Sequence, residues 1–172
     1  MRLRGGIAAV LGAAAIATAL TGCGPQHQPV ASTPEVTVPT PTGPALTAAA
    51  LRTKAGAACT VLYRALNAAG DPPTDDPAKA AAWYPQVAAA WHRFLASVAP
   101  LVPPTDQVRD WGDVVENTRK ITTDADANVA LQKAGREPIE LINSDPTADQ
   151  GTRSLSNGEL LDRLGITACT GG

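Results

Sequence analysis

The chain has 172 residues, with 14 Lys and Arg against 16 Asp and Glu, a net charge of −2 and only 3% aromatic residues. It contains no basic stripe and no Lys/Arg cluster, which argues against nucleic acid as a partner. The length suits one ordinary domain with an extension, large enough to bury a hydrophobic core.

The first 22 residues have the layout of a secretory signal peptide. Two arginines occur in residues 1–4, and residues 7–20 form an uncharged run of 14 residues. A transmembrane helix needs about 20 apolar residues, so this run is too short to cross a bilayer and suits the apolar region of a signal peptide. A buried core helix is the alternative, but the run has neither an amphipathic pattern nor a helix stop.

The sequence Leu20-Thr21-Gly22-Cys23 resembles the lipobox of bacterial lipoproteins, in which a cysteine follows two small residues and an aliphatic one. The resemblance implies diacylglyceryl transfer to the Cys23 sulfur, cleavage before Cys23 and acylation of the new amine, for example by palmitate. Two acyl chains anchor a protein stably, whereas one binds a membrane only marginally. The resemblance therefore implies a lipoprotein on the extracytoplasmic face of the cell membrane.

Residues 23–44 contain the lipidated cysteine and a Pro/Thr-rich stretch with six prolines. Because proline lacks an amide hydrogen and restricts φ, this stretch favours neither a helix nor a central strand. We expect a disordered, polyproline-like tether that reaches up to about 65 Å at ~3.1 Å per residue. The composition also resembles stalks that carry O-linked sugars.

Residues 45–172 are predicted to form a helical domain. Residues 46–69 are rich in Ala and Leu, which favour helix, and the sequence Gly-Asp-Pro-Pro at 70–73 ends this first helix. Three residues of the first helix recur at spacings of three and four and should share one face: Cys59, Leu62 and Leu66.

A second helix is predicted over residues 77–99, with Asp76 as N-cap and Pro77 in the first turn. Pro85 should kink this helix or mark its true start. Four apolar residues of this helix have the spacing of a core-facing stripe: Val87, Trp91, Phe94 and Val98.

The third predicted helix has the clearest pattern, with Thr105 as its cap and Gly135 at its end. Seven of its residues alternate at spacings of three and four and predict a packing seam: Val108, Trp111, Val115, Thr118, Thr122, Ala125 and Val129.

A short fourth helix follows the polar segment 143–155. Ser156 and Glu159 form the S-x-x-E pattern of a capping box, and Gly165 with Ile166 predicts a Schellman stop. Its apolar face consists of Leu160, Leu161 and Leu164.

The three cysteines form an odd number, which needs an explanation in an exported protein. If Cys23 carries lipid, Cys59 and Cys169 remain as a pair in an oxidising compartment. Two catalytic or metal-binding thiols are the alternative, but the chain has no C-x-x-C sequence and no histidine beside either cysteine. We therefore expect a structural disulfide between Cys59 and Cys169.

These patterns together predict an all-α fold, an antiparallel four-helix bundle with a short last helix and one disulfide. The ending Leu-Gly-Ile-Thr-Ala-Cys, a helix stop followed by a cysteine that reaches back to the first helix, resembles that of many small actinobacterial helical lipoproteins. The resemblance implies no activity.

Two sets of polar residues are candidates for a metal site or a catalytic site. Asp124, Asp126 and Asn128 begin like a calcium loop, but the positions that need Gly and Glu hold Val129 and Gly135. His92 lacks the second histidine of a typical zinc site and any positioned serine of a triad. We expect solvated helix residues in both places, with no metal, no cofactor and no enzymatic activity.

The aromatic residues are the candidate binding surface: Trp83, Tyr84, Trp91 and Trp111. Stripes at helical spacing are usually core, but Trp83 and Tyr84 flank Pro85 at a predicted bend and should reach the surface. The 143–155 loop is a second candidate, since long loops in compact domains are often functional.

The sequence thus predicts a non-catalytic envelope module, anchored through Cys23, that binds an envelope protein, a glycan or a lipid. The alternative is a carrier of a small ligand or lipid, which an enclosed apolar cavity lined by Trp91, Phe94 and Trp111 would favour. A hydrolase, based on His92 and scattered carboxylates, is a third hypothesis.

Overall fold

Four α-helices form the frame of this computed structural model, which describes residues 36–73, 76–138 and 156–169. The predicted signal peptide, Cys23 and the 143–155 loop lie outside these ranges. No strand occurs in the described residues, so the all-α prediction is confirmed. The helices are α1 (Ala48–Ala69), α2 (Pro77–Val98), α3 (Val108–Lys133) and α4 (Asn157–Arg163). Among the described residues, no helix combines the length and apolarity needed to cross a bilayer.

Local sequence signals set most helix ends. Asp76 caps α2 as predicted, because its Oδ1 accepts hydrogen bonds from the N–H groups of Ala78 and Lys79, both at 3.0 Å. Ser156 and Glu159 form the predicted capping box at the start of α4.

The start of α3 and the course of α2 differ from the predictions. Thr105 makes no side-chain cap and opens a 3-10 turn, Thr105–Gln107, so α3 begins only at Val108. The Gln107 N–H donates to the Pro104 carbonyl at 2.9 Å, which closes that turn before the α-helix starts. Pro85 lies inside an uninterrupted α2 and does not mark its start.

The core lies where α2 packs between α1 and α3. α4 packs against α3, and the 3-10 turn Thr167–Cys169 packs against α1, so the C-terminal segment supplies the fourth element of the bundle. Short connections between successive long helices make neighbours antiparallel. The most completely buried apolar residues come from all four elements: Leu51, Leu95, Val98, Val114, Leu160 and Ile166.

The predicted seam of α3 is correct in its middle and wrong at its start. Trp111 and Ala125 are buried, whereas Val108 is 54% exposed because it lies in the first turn, beyond the packed part of the helix. The fully buried Thr118 and Thr122 donate their hydroxyl protons to the carbonyls of Val114 and Thr118, each at 2.8 Å. These bonds within the helix satisfy hydroxyls that apolar packing would otherwise leave unpaired.

Part of the predicted tether contacts the domain. Val36 is 8% exposed and packs against Leu95 and Ala99 at the end of α2. The Thr42 N–H of the tether donates to the Pro100 carbonyl at 3.4 Å. Just after the tether, the Leu46 N–H donates to the Val102 carbonyl at 2.9 Å, so both bonds hold this part of the chain to the α2–α3 connection. We call residues 36–46 the N-terminal segment.

A candidate binding cleft beside the disulfide

The C-terminal segment, residues 156–169, is fixed at both of its ends. At its start, the Ser156 Oγ accepts from the Glu159 N–H while a Glu159 carboxylate oxygen accepts from the Ser156 N–H at 2.9 Å. At the end of α4, Gly165 adopts φ 72°, and the Ile166 N–H donates to the Leu161 carbonyl at 2.8 Å. This is the predicted Schellman stop.

The predicted disulfide is present and completes this attachment. Cys59 and Cys169 are bonded with their Cα atoms 5.2 Å apart, across 110 residues of sequence. The Tyr63 hydroxyl donates to the Cys169 carbonyl, so α1 contacts the last turn through a hydrogen bond as well. The C-terminal segment is therefore held against both α1 and α3, and it forms one wall of a cleft.

This disulfide cleft has a volume of about 540 Å³ and opens to solvent. That volume lies within the range of sites for small molecules, roughly 300–1,000 Å³. Its floor is apolar and includes the disulfide itself with Leu62, Phe94, Ile121 and Leu161. Its rim combines the aromatic rings of Tyr63 and Trp91 with polar residues of the C-terminal segment: Ser156, Asn157, Glu159 and Asp162.

The charge of the disulfide cleft is one-sided. Glu159 and Asp162 are the charged residues among the described lining residues, and both are acidic. Glu159 is engaged in the capping box, where one carboxylate oxygen accepts from both the N–H and the Oγ of Ser156 at 2.9 Å. Asp162 is exposed and forms no ion pair with any residue that the structure describes.

Asn157 carries an unsatisfied acceptor at the same rim. Its Nδ2 donates to the Thr118 Oγ1 at 3.2 Å, which ties the start of α4 to α3. Its Oδ1 is buried and has no hydrogen-bond donor in the described part of the chain. A buried unpaired acceptor costs about 1–3 kcal/mol.

The structure distributes the predicted aromatic surface over three places. Trp91 lines the disulfide cleft, with its ring 6.0 Å from that of Phe94 in an edge-to-face pair. Trp111 is 3% exposed and belongs to the core, so the cavity expected between Trp91, Phe94 and Trp111 is not the one observed. Trp83 and Tyr84 are half-buried and pack edge to face at 4.9 Å.

A second depression lies at the opposite end of α2 and has a volume of about 650 Å³. We call it the proline cleft, since Pro72, Pro73 and Pro77 line it together with Tyr84. Burial raises the pKa of the Tyr84 hydroxyl. Trp83 closes the nearby turn instead, because its Nε1 donates to the Gly70 carbonyl at 2.9 Å.

His92 has a partner that the sequence did not reveal. Its Nε2 lies 3.0 Å from each carboxylate oxygen of Asp126, which joins α2 to α3. The His92 side chain is 47% exposed, in agreement with the predicted solvated position. Within the described ranges, no hydroxyl or thiol hydrogen-bonds to His92, and neither member of the pair lines the disulfide cleft.

Asp124, Asp126 and Asn128 resemble the start of a calcium-binding loop in sequence only. In the part of the chain that the structure describes, no group of three His, Cys, Asp or Glu side chains converges. Asp126 pairs with His92. The expectation of solvated residues is wrong for Asn128, which is 1% exposed because its part of α3 faces the interior. Burial raises the pKa of the Asp124 carboxyl, since its charged form loses hydration.

Sequence reasoning missed Tyr63, Asn157 and Asp162 as lining residues. A signal for Tyr63 did exist, because the predicted disulfide places Cys169 beside α1, one helical turn before Tyr63. No family model matches this sequence, and neither curated proteins nor solved structures contain a significant match.

Proposed function

We propose that this chain is a lipoprotein of the cell envelope, anchored through Cys23, that acts as a non-catalytic binding module. The lipobox resemblance and the signal-like first 22 residues support the anchor. The Cys59–Cys169 disulfide supports an oxidising compartment, since structural disulfides persist mainly outside the cytosol.

The observation that carries the binding role is the disulfide cleft. It joins an apolar floor to a rim with hydrogen-bonding and charged groups, which is the usual composition of a recognition site.

A binding role fits the His92–Asp126 pair better than catalysis does. General base chemistry needs a reacting group within hydrogen-bond reach of the base. The pair lies outside the residues that line the disulfide cleft, so its histidine is not directed at a ligand bound there.

The alternative is a carrier of a small ligand or lipid, and the cleft supports it in part. Its volume and its Trp91 and Phe94 rings suit a small ligand. Its open mouth and polar rim do not suit the burial of an acyl chain.

The anchor is tested by mass spectrometry of the purified N-terminus. We expect a diacylglyceryl-modified Cys23 as the first residue and partition of the protein into detergent. Cys23→Ser should release the protein from membranes. An unmodified N-terminus, or Cys23→Ser protein that stays membrane-bound, would contradict the anchor.

The binding role is tested by crosslinking and capture from intact cells. The full chain should retain its bound ligand or partner, and deletion of residues 45–172 should abolish retention. If His92→Ala alone abolished the cellular effect of the protein while its circular dichroism spectrum stayed unchanged, that result would contradict a non-catalytic role.

A further inference from the structure

We infer that the disulfide cleft binds a small organic cation, such as a protonated amine attached to an aromatic or aliphatic body. This inference rests on the proposed binding role and names the ligand class that the cleft would take. It is carried by the arrangement of aromatic rings and one uncommitted carboxylate around a single apolar floor.

The rim offers a cation two kinds of attraction. Trp91 and Tyr63 present aromatic rings, whose faces attract ammonium groups. Asp162 supplies a carboxylate that no described residue neutralises. No Lys or Arg occurs among the described lining residues, so nothing there would repel a positive charge or favour an anion.

At the same rim, the Asn157 side chain is held against α3. Its Oδ1 is buried without a donor, while its Nδ2 is already bonded to Thr118. An ammonium group brings several N–H donors and no acceptor. The exposed Asp162 carboxylate would accept from such a group, whereas a carboxylate ligand would add a further acceptor to an acidic rim.

The apolar floor of the cleft determines the chemistry and size of the uncharged part of the ligand. Leu62, Phe94 and Leu161 are buried and offer apolar contact below the charged rim. A volume of about 540 Å³ suits a compact body and not a long chain. The expected ligand thus combines one positive group with one apolar body.

Three matched probes test this inference on the full-length protein: 2-phenylethylamine, which is protonated at pH 7, neutral 2-phenylethanol and anionic phenylacetate. Binding is measured by saturation-transfer NMR and by tryptophan fluorescence, for which Trp91 is the reporter inside the cleft. We expect the amine to bind about tenfold more tightly than the alcohol, as cation–π and charge contacts at a partly exposed site would give. Phenylacetate should bind more weakly than either.

Two variants test whether Asp162 is responsible for the preference for the charged amine. Asp162→Asn should weaken amine binding about five- to tenfold and leave binding of the alcohol unchanged, because only the charged contact is lost. Asp113→Asn is the matched control, since Asp113 is an exposed carboxylate of α3 that lines neither cleft. Circular dichroism should be the same for both variants and the natural chain.

Four results would overturn the inference. Equal affinity for amine and alcohol would remove the role of charge, and an unchanged affinity in Asp162→Asn would place the cation elsewhere. A lack of saturable binding by every probe would remove the site. Failure of the amine together with reduced capture of a protein by Asp162→Asn would identify a basic side chain of a partner as the occupant. None of these results bears on Cys23, so the anchor stands or fails separately.

Discussion

Two segments flank the three long helices, and they are attached in different ways. The C-terminal segment, residues 156–169, is held by a disulfide, a capping box and buried apolar residues that include Leu160 and Ile166. The N-terminal segment, residues 36–46, is held by Val36 and by two backbone hydrogen bonds, from Thr42 to Pro100 and from Leu46 to Val102.

The difference matches what each segment would have to do. The C-terminal segment forms a wall of the disulfide cleft, so its displacement would open the cleft. The N-terminal segment would join the bundle to the proposed lipid anchor, where local detachment would lengthen the connection and loosen the orientation of the bundle without loss of the site. We therefore expect substitutions in the two segments to differ in two ways: in how far they lower the free energy of unfolding, and in how much of the structure opens.

The largest effect should follow removal of the disulfide. In the Cys59→Ala/Cys169→Ala double variant the free energy of unfolding should fall by about 4–5 kcal/mol, since the bond closes a loop of 110 residues. Urea unfolding followed by circular dichroism measures this. As a control, the double variant should have the same free energy of unfolding under reducing and non-reducing conditions, because the Cys59–Cys169 bond is absent from it. A loss below about 1 kcal/mol would show that the C-terminal segment is held without the bond.

Matched apolar truncations compare the two segments directly. Leu160→Ala should cost about 2–5 kcal/mol, because the side chain is 1% exposed in the main core. Val36→Ala should cost about 1–2 kcal/mol, from the loss of two buried methyl groups.

Hydrogen exchange distinguishes the range of these effects. In Val36→Ala the amide of Leu46 should exchange faster while that of Ile166 keeps its protection, since only the N-terminal segment opens. Faster exchange at both amides would show that the two segments unfold together and are not attached independently.

Loss of the α4 cap should have an intermediate effect. Ser156→Ala should cost about 1 kcal/mol and weaken the wall of the cleft, because the Glu159 N–H loses its acceptor. Thr47→Ala is the matched control, since Thr47 caps α1 through the Ala50 N–H at a distance from the cleft. Thermal unfolding and ligand titration together measure both consequences. Equal loss of ligand affinity in the two variants would show that the cap acts on stability alone.

The smallest effect should come from the His92–Asp126 pair. His92→Ala and Asp126→Asn should each cost less than about 1 kcal/mol, since both side chains are partly exposed and water screens the pair. A double-mutant cycle in low and high salt measures the coupling, which should shrink as salt is added. A coupling energy that does not change with salt concentration would indicate a more deeply desolvated contact than the geometry shows.

Much of the fold was predictable because its signals are local. Asp76, the Ser156–Glu159 box and Gly165 act through backbone groups a few residues away, so their effect can be read without knowing what they pack against. The Cys59–Cys169 pair was predictable for a different reason, since elimination of Cys23 left no other partner. Thr105 misled because the residues before α3 close a 3-10 turn instead of an α-helical one.

The sequence by itself determined the all-α class, most of the helix ends, the disulfide pair and the expectation of export and anchoring. Only the tertiary structure decided which aromatic ring lines a cleft and which is core, because Trp91 and Trp111 belong to equally periodic helices. It also decided that His92 meets Asp126, that Val36 packs on α2 and that Asp162 faces a cleft. Each of these depends on contacts between elements distant in sequence, where packing geometry, and not local propensity, sets the neighbour.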